Sequence, residues 1–304
     1  MTRVDYIHGC LMGCVLGDAL GAPFEGGPLE RGVWWLLSLG TSSQRYTDDT
    51  TMTLDVCHSM LKSNGLDQDD LAQRFARSYR WSRGYGPGAA RTLKAIRKGV
   101  HWSQANRMGF RDGSFGNGGA MRSPIVGALF ADSDQAIVER ISAQVCEITH
   151  RHELGIEGAR LVTIAAWRAA HGLSLGVSEG ELTSPAQEFS TRLLWAREQI
   201  NNEAHPTPKD IVRHLGNGIS ATESVVTALY LAATHLERSF PELITSTKRV
   251  GGDVDTILAI AGALWGIHRG PSAFPPELVS AVEKAENMAA LSERLDQIQI
   301  SQKA

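Results

Sequence analysis

Apolar residues recur at helical spacing along almost the whole chain of 304 residues, and strand signals are scarce. Glycine, proline and asparagine residues separate the helical segments from one another. The alanine-rich apolar stretches with this spacing are 119–131, 136–149, 156–171, 221–236 and 256–268. This pattern predicts an all-α protein, folded as a compact orthogonal bundle of about a dozen helices.

The sequence shows no internal repeat, no low-complexity run and no convincing domain boundary, so we predict a single domain over 1–304. Hydrophobic residues make up 42% of the chain, which is enough to bury a sizeable core. The segment 31–45 is less regular than the rest. Its Trp34 and Trp35 either pack against the body of the protein or border a pocket.

The formal net charge of -3 gives no general basic field for nucleic acid, although it leaves a local basic patch open. None of the four cysteines, Cys10, Cys14, Cys57 and Cys146, forms a Cys-x-x-Cys pair, so we expect buried thiols in a reducing compartment. We find no signal peptide and no uncharged apolar run of ~18 residues. We therefore expect a cytoplasmic protein that neither spans a membrane nor binds nucleic acid.

Two adjacent aspartates, Asp48 and Asp49, stand among threonines just before the apolar-periodic run from Met52 to Met60. A single acidic or hydroxyl side chain there would suffice to cap the helix or to complement its positive end. The cluster Thr47–Thr51 holds more acidic and hydroxyl groups than capping requires. Either a plain helix cap or a functional acidic site is consistent with this segment alone.

A second acidic cluster, Asp253 to Thr256, follows a glycine pair and opens the apolar stretch from Ile257 to Ile267. Asp-x-Asp-Thr offers several hard oxygen ligands within one turn, which suit Mg²⁺, Mn²⁺ or Ca²⁺ better than zinc. If the fold joins both clusters, four carboxylates share one site and need cations to stay ionised. Two divalent ions ~3.5–4 Å apart would supply that charge, orient diol oxygens and activate water.

A third acidic segment, Gly17 to Glu25, has a glycine and alanine content that indicates tight helix packing before a turn at Pro23. We interpret Asp18 as a buried structural acid that caps or bonds backbone groups. Glu25 is an ordinary surface residue unless this turn folds over the acidic clusters.

The glycine-rich segment 113–119 precedes another predicted helix, where exposed backbone N–H groups could bind phosphate or pyrophosphate. Glycine is common in turns, so this signal is weak alone. Phe110 and Phe115 either stack on a base or pack in the core, and Arg122 either meets phosphate or a structural carboxylate. The spacing of His150 and its neighbouring histidine does not suit metal ligation from one helix face, which favours a structural or substrate contact.

Six motifs in chain order resemble the ADP-ribosylhydrolase family, which is also known from the dinitrogenase-reductase-activating glycohydrolase. They are GDALG-x-PFE, YTDDT, GSFGNGGAMR, ITH-x-x-x-LG-x-x-GA, LGNGI-x-x-x-ES and GGD-x-DTI. The resemblance implies an all-α fold with a binuclear Mg²⁺ or Mn²⁺ centre in a central cleft. It also implies a metal-dependent hydrolase that cleaves the glycosidic bond between ADP-ribose and a modified protein side chain.

The resemblance assigns roles to residues of this chain that match the family's motifs. The implied metal ligands are Thr47, Asp48, Asp49, Asp253, Asp255 and Thr256. The implied catalytic residues are Glu25, on a mobile loop, together with Asp49 and Asp255. The implied substrate contacts are Phe110, Gly113, Ser114, Phe115, Gly116, Asn117, Gly118, Gly119, His150 and Ile219.

The segments 83–88 and 215–224, together with Phe110, look closer to the serine-ADP-ribose branch of the family than to the arginine branch. Val254 stands where the family usually has threonine, so we expect intact metal binding with altered hydrogen bonds behind the ligands. Expected partners are ADP-ribose and ADP-ribosylated proteins, and we expect a monomer. The alternatives are an arginine-linked or ester substrate, an inactive ADP-ribose-binding or structural relative, or a metal-dependent hydrolase of unrelated substrates.

Overall fold

The structure is a computed structural model and describes residues 1–26, 32, 43–110 and 112–298. This part of the chain contains fifteen α-helices and no strand, which confirms the all-α prediction. In chain order the helices are α1 (Arg3–Gly21), α2 (Asp48–Ser63), α3 (Gln68–Ser78), α4 (Pro87–Arg97), α5 (Trp102–Ala105), α6 (Pro124–Leu129), α7 (Gln135–Glu147), α8 (Glu153–Ala170), α9 (Gln187–Asn201), α10 (Pro208–Leu215), α11 (Ala221–His235), α12 (Phe240–Val250), α13 (Val254–Arg269), α14 (Pro276–Ala281) and α15 (Met288–Asp296).

The starts of several helices are fixed by side chains that reach back to the backbone. Capping boxes begin three of them, with Thr2 and Asp5 at α1, Thr207 and Asp210 at α10, and a serine–glutamate pair at α12. In each box the hydroxyl accepts a backbone N–H of the first turn and the acid accepts the N–H of the cap residue. These caps satisfy N–H groups that helix geometry leaves without partners.

The central element of the bundle is the pair α1 and α13, whose backbones touch. A Cβ atom built on Gly13 would lie 1.9 Å from the carbonyl oxygen of Gly262, and one on Gly9 would lie 2.0 Å from that of Gly266. Only glycine at these positions allows the two helices to approach so closely. The contact continues to Gly21, which lies against the first turn of α13 and so against the second acidic cluster.

The core surrounds this helix pair. Among the described residues the largest fully buried side chain is Trp265 of α13. Its ring packs edge-on against Phe274, and its N–H donates to the carbonyls of His235 and Arg238 at 3.0 and 3.1 Å. This arrangement satisfies the polar end of a large aromatic residue within an apolar interior. The fixed core holds the first turn of α13 in place.

All four cysteines are free and buried, as expected from their spacing. By length and composition alone, the described stretch Arg3–Phe24 is apolar enough to cross a membrane, with a mean hydropathy of 1.3. However, 78% of that window is buried inside the protein, as in the core helix of a globular fold. The prediction that no segment spans a membrane stays a prediction. Trp34 and Trp35 lie outside the described residues.

Candidate active site

The two acidic clusters lie at the starts of two helices. Thr47 is the N-cap of α2, and its hydroxyl accepts the backbone N–H of Asp49 at 3.2 Å. Asp253 is the N-cap residue of α13 but makes no capping hydrogen bond through its side chain. The aspartate side chains are therefore not used for capping. They lie at the N-termini of α2 and α13, where the helix dipole places partial positive charge.

Both helix starts open into one cavity of about 460 Å³. We call the part of the cavity formed by the acidic residues the acidic end, and it consists of Glu25, Asp48, Asp49, Asp253, Asp255 and Thr256. One carboxylate oxygen from each of Glu25, Asp253 and Asp255 lies within 4.8 Å of the other two. The fold therefore brings the two clusters together, as the sequence suggested, and adds Glu25 to them.

Two oxygens at the acidic end are buried and have no hydrogen-bond partner in the part of the chain that the structure describes. They are Oδ2 of Asp49 and Oδ1 of Asp255. Burial raises the pKa of both carboxyl groups well above the ordinary range, and the nearby charges of Asp18 and Glu25, respectively, raise it further. Buried hard oxygens without partners fit a divalent cation such as Mg²⁺ or Mn²⁺, whose charge would offset this repulsion.

Glu25 reaches the acidic end because the turn after α1 folds back towards α13. It follows the short 3₁₀ helix Ala22–Phe24, and the backbone N–H of the next residue, Gly26, donates to the carbonyl of Gly252 at 3.2 Å. This contact places the turn over the glycine pair that precedes Asp253. The turn therefore folds over the acidic clusters, which was the condition for Glu25 to be more than an ordinary surface residue.

Asp18 binds the backbone of the turn that carries the first acidic cluster. Its fully buried carboxylate accepts the backbone N–H groups of Thr47 and Thr50, each at 2.9 Å. Burial raises the pKa of this carboxyl to about 6, while the hydrogen bonds act in the opposite direction. The interpretation of Asp18 as a buried acid that bonds backbone is confirmed, and its contacts fix the turn that carries the first acidic cluster.

The second acidic cluster is held by two asparagines. The side chain of Asn117 donates to Oδ2 of Asp253 at 2.5 Å, and the carbonyl of Asn217 accepts the backbone N–H of Asp253 at 2.8 Å. Gly252 has a φ of +78°, and a Cβ there would lie 2.0 Å from the Asn217 carbonyl oxygen. A side chain at position 252 would therefore separate the cluster from its support.

The glycine-rich loop packs against the ring of His150. A Cβ on Gly118 would lie 2.5 Å from Cε1 of His150, and one on Gly116 would lie 3.3 Å from Nε2. Three backbone N–H groups of the loop already have partners, since Gly113 donates to the Phe110 carbonyl, Gly116 to the Ser114 hydroxyl and Asn117 to the Ile219 carbonyl. The loop therefore presents fewer free N–H groups to an anion than its glycine content suggested.

Three of the predicted site residues do not line the cavity. The hydroxyl of Thr47 is used as the helix cap, Gly113 has a φ of +92° and packs against Arg151, and Gly119 packs against the sulfur of Cys146. The contacts described here are structural. Their predicted ligand or substrate roles stay predictions.

Among the described residues Arg122 pairs with no carboxylate, so that sequence interpretation is wrong, and a contact with phosphate stays a prediction. The guanidinium is fully buried, donates to the carbonyl of Gly118 and to those of Val145 and Cys146 at 3.0 and 3.3 Å, and lies 5.0 Å from the ring centroid of Phe75. Burial lowers the pKa of this arginine to about 10. It holds the glycine-rich loop to α7.

The mouth of the cavity carries exposed apolar side chains. Phe110, Phe115 and Ile219 line the cavity and are 53%, 48% and 70% exposed. Apolar residues this exposed do not pack in the core, so that interpretation of the phenylalanines is wrong, and stacking on a base stays a prediction. Flat apolar surfaces at the mouth of a partly polar cavity suit an aromatic base.

Residues that our sequence reasoning did not assign to the site also line the cavity. They are Gly84, Tyr85, Gly86, Pro87, Gly88, Ala89, Met121 and Ser220. Gly88 is required beside Phe110, because a Cβ there would lie 2.7 Å from Cε2 of that ring. The sequence carries one signal for them, the glycine- and proline-rich segment 84–88 that leads into α4, but such residues predict a break between helices and not a cavity wall.

The chain is similar in sequence to known proteins over nearly its whole length. A sequence model of the ADP-ribosylglycohydrolase family matches residues 1–304. The chain is 32% identical to ADP-ribosylhydrolase ARH3 of Danio rerio, over 97% of this chain and 91% of that protein. It is 31% identical to ADP-ribosylhydrolase ARH3 of Homo sapiens, over 96% of this chain and 93% of that protein.

A solved structure described as an ADP-ribosylglycohydrolase-related protein complex shares the fold, with a TM-score of 0.68 and 23% identity, and it covers 97% of this chain and 98% of that chain. The family match and the curated relatives support hydrolysis of ADP-ribosyl bonds. The chain belongs to the ADP-ribosylglycohydrolase family.

Proposed function

We propose that the protein removes ADP-ribose from modified serine side chains of proteins and uses two divalent cations, Mg²⁺ or Mn²⁺, at the acidic end of the cavity. The observation that carries the proposal is the meeting of carboxylates from both ends of the chain, Glu25, Asp48 and Asp49 with Asp253 and Asp255, in a cavity with an aromatic mouth. This combination suits a ligand that has a diol at one end and a flat base at the other.

The proposed ligands of the cations are Asp48, Asp49, Asp253, Asp255 and Thr256, since all of them line the acidic end. The unpartnered oxygens of Asp49 and Asp255 support this assignment, because a buried carboxylate oxygen without a partner is costly. Divalent cations in such a site supply positive charge that orients the hydroxyls of the substrate ribose.

We place the rest of ADP-ribose along the cavity. The adenine lies between Phe110, Phe115 and Ile219 at the mouth, and the diphosphate lies against the loop Ser114 to Gly118. His150 stays neutral there, because burial lowers its pKa to about 3. A neutral imidazole can donate one hydrogen bond to the ligand from Nε2 if Nδ1 accepts from the Thr149 hydroxyl, 2.8 Å away.

The chain's own residues supply the proton transfers. A carboxylate, Glu25 or one of the aspartates, orients a water against the anomeric carbon and accepts its proton as positive charge develops on the ribose. The bond from the anomeric carbon to the serine oxygen breaks, and the accepted proton returns to that oxygen. One water is consumed, and the products are ADP-ribose and an unmodified serine.

The preference for serine rests on two kinds of support. The segments 83–88 and 215–224 resemble the serine-ADP-ribose branch, and the curated relatives at 31–32% identity carry the name ADP-ribosylhydrolase ARH3. We further propose a single-domain monomer in the cytoplasm. Four free, buried cysteines are consistent with a reducing compartment.

Matched peptides that carry ADP-ribose on serine or on arginine test the linkage. We expect ADP-ribose release from the serine peptide with Mg²⁺ or Mn²⁺ and none when a chelator replaces the metal. Release from the arginine peptide alone would contradict the serine assignment. Tight binding of ADP-ribose without release from either peptide would contradict the proposed activity.

A further inference from the structure

The basic residues are distributed very unevenly along this chain. Residues 71–111 contain ten Lys or Arg residues and no Asp or Glu, although the whole chain has 30 basic and 33 acidic residues. The remaining residues therefore hold 20 basic and 33 acidic side chains, a formal charge of -13. A segment of one sign within a chain of the other sign creates a local positive field.

Six of these cations are exposed on the end of α3, on the exposed face of α4 and on the turns that follow them. We call them the basic patch: Arg77, Arg80, Arg91, Lys94, Arg97 and Lys98. Among the described residues none of the six forms an ion pair, in contrast to Arg74 and Arg83, which pair with Asp70 and Glu283. Neighbouring cations without counter-charges repel one another, so the patch is set up to accept an anionic partner.

An exposed tryptophan stands within the basic patch. Trp81 is 76% exposed and, with Arg77, Arg80 and Arg97, lines a shallow depression of about 540 Å³. Tryptophan and arginine are the residue types that contribute most to binding at protein interfaces. A large exposed ring between unpaired guanidinium groups therefore favours a protein partner with acidic side chains.

The basic patch borders the mouth of the active-site cavity. Arg83, two residues after Trp81, donates to the carbonyl of Tyr46, which directly precedes the first acidic cluster. The segment 84–89, between Trp81 and Arg91, lines the cavity, and Arg91 donates to the carbonyl of Gly109 at 3.1 Å, beside Phe110. Since the serine-linked ribose is proposed to lie at the acidic end, the polypeptide would leave the cavity on the side of Tyr46 and Arg83, next to Trp81.

We propose that the basic patch with Trp81 binds an acidic segment of the ADP-ribosylated substrate protein, close in sequence to the modified residue. This inference rests on the proposed function, because it assigns a surface to the protein part of that substrate. It predicts that turnover depends on the flanking sequence of the substrate as well as on ADP-ribose.

The charge of the rest of the chain favours a short acidic segment over a nucleic acid. A long polyanion that contacts the basic patch would also approach the remainder of the protein, whose formal charge is -13. A short acidic peptide can stay on the patch and avoid that repulsion. The size of the depression at Trp81 likewise suits a few side chains.

The test compares serine-ADP-ribosylated peptides whose flanking residues are glutamate, glutamine or lysine, together with ADP-ribosylated serine that has no flanking chain. The variant Arg77→Gln/Arg80→Gln/Arg97→Gln removes three charges from the basic patch. The matched control Lys209→Gln/Arg213→Gln/Arg238→Gln removes three exposed charges that border neither the patch nor the active-site cavity. Both variants have the same net charge, so a difference in KM between them shows that the location of the removed charges matters.

At ~0.01 M ionic strength we expect the patch variant to raise KM for the glutamate-flanked peptide about tenfold at unchanged kcat, and the effect to shrink at ~0.15 M. The glutamine-flanked peptide and ADP-ribosylated serine should change less than about twofold. Equal KM values for the two variants would overturn the proposal. Binding of a single-stranded DNA is measured in parallel, and its loss in the patch variant with no change for the peptide would also overturn the proposal.

The unflanked substrate separates the two proposals. If the unmodified protein does not hydrolyse ADP-ribosylated serine, the proposed function fails, and fluorescence anisotropy of the glutamate-flanked peptide still measures binding to the basic patch. A Kd about tenfold weaker in the patch variant than in the control supports the docking surface in that case. Equal Kd values would exclude it.

Discussion

His150 is a buried side chain at the cavity whose charge state is set by its surroundings. Burial, and after it the positive charge of Arg122, lowers the pKa of His150 from 6.5 to about 3. The unfolded chain therefore binds a proton below pH 6.5 that the folded protein does not bind. This difference lowers the free energy of unfolding as pH falls from 6.5 towards 3, and it has no effect at higher pH.

We predict that replacing His150 by glutamine removes this contribution. In urea unfolding with chelator present, the free energy of unfolding of the unmodified protein should fall more steeply with falling pH than that of His150→Gln, by up to about 1.4 kcal/mol per pH unit below pH 6.5. The exposed His205, replaced by glutamine, is the control and should follow the unmodified protein. Parallel pH profiles for His150→Gln and the unmodified protein would contradict the assigned pKa.

The chemistry of single residues could be predicted from the sequence where it depends on residue type. Paired aspartates at helix starts indicated a hard-oxygen site, and a glycine- and alanine-rich helix end indicated a buried Asp18. The partners of Arg122 could not be predicted, because they are backbone carbonyls, and two of them belong to a different helix, α7. Tyr85 and Gly88 were missed because a cavity wall depends on how α4 packs, and a local pattern does not encode that.

At the scale of the elements, the pair α1 and α13 determines whether the acidic end exists. Gly9, Gly13, Gly17 and Gly21 repeat every four residues along one face of α1, and each faces the backbone of α13. This spacing can be read from the sequence, but the partner helix cannot. Since Gly21 lies against Asp255, this contact brings the second acidic cluster to the turn that carries Glu25.

A methyl group at Gly13 should force the two helices apart. We expect Gly13→Ala to lower the free energy of unfolding by about 1–3 kcal/mol, because the new Cβ meets a backbone carbonyl that cannot rotate away. The urea midpoint measures this loss. The control is Gly86→Ala, where φ is -59° and nothing lies within 4 Å of the new Cβ, so stability should change little or rise. Equal midpoints for both variants would contradict the close packing of α1 and α13.

At the scale of the whole molecule, the fold class followed from helical spacing and was confirmed. The estimate of about a dozen helices compares with fifteen in the described residues, since short helices such as α5, α6 and α14 leave no clear periodic pattern. The meeting of the two acidic clusters depends on tertiary packing, so the residues alone indicate it only as a condition, and the family resemblance implies it. The total charge of -3 did not predict the basic patch, because the total does not show that residues 71–111 are basic while the rest of the chain is acidic.

The acidic end is the feature on which the account depends, and its most direct test is the rate of ADP-ribose release from the serine-linked peptide by single-carboxylate variants. We predict that Asp48→Asn and Asp255→Asn each lower this rate at least about a hundredfold at saturating Mn²⁺, since each removes a proposed metal ligand. Asp132→Asn, a control at an 87% exposed side chain, should keep the full rate. Full release by Asp48→Asn or Asp255→Asn would contradict the assignment of this cluster as the active site.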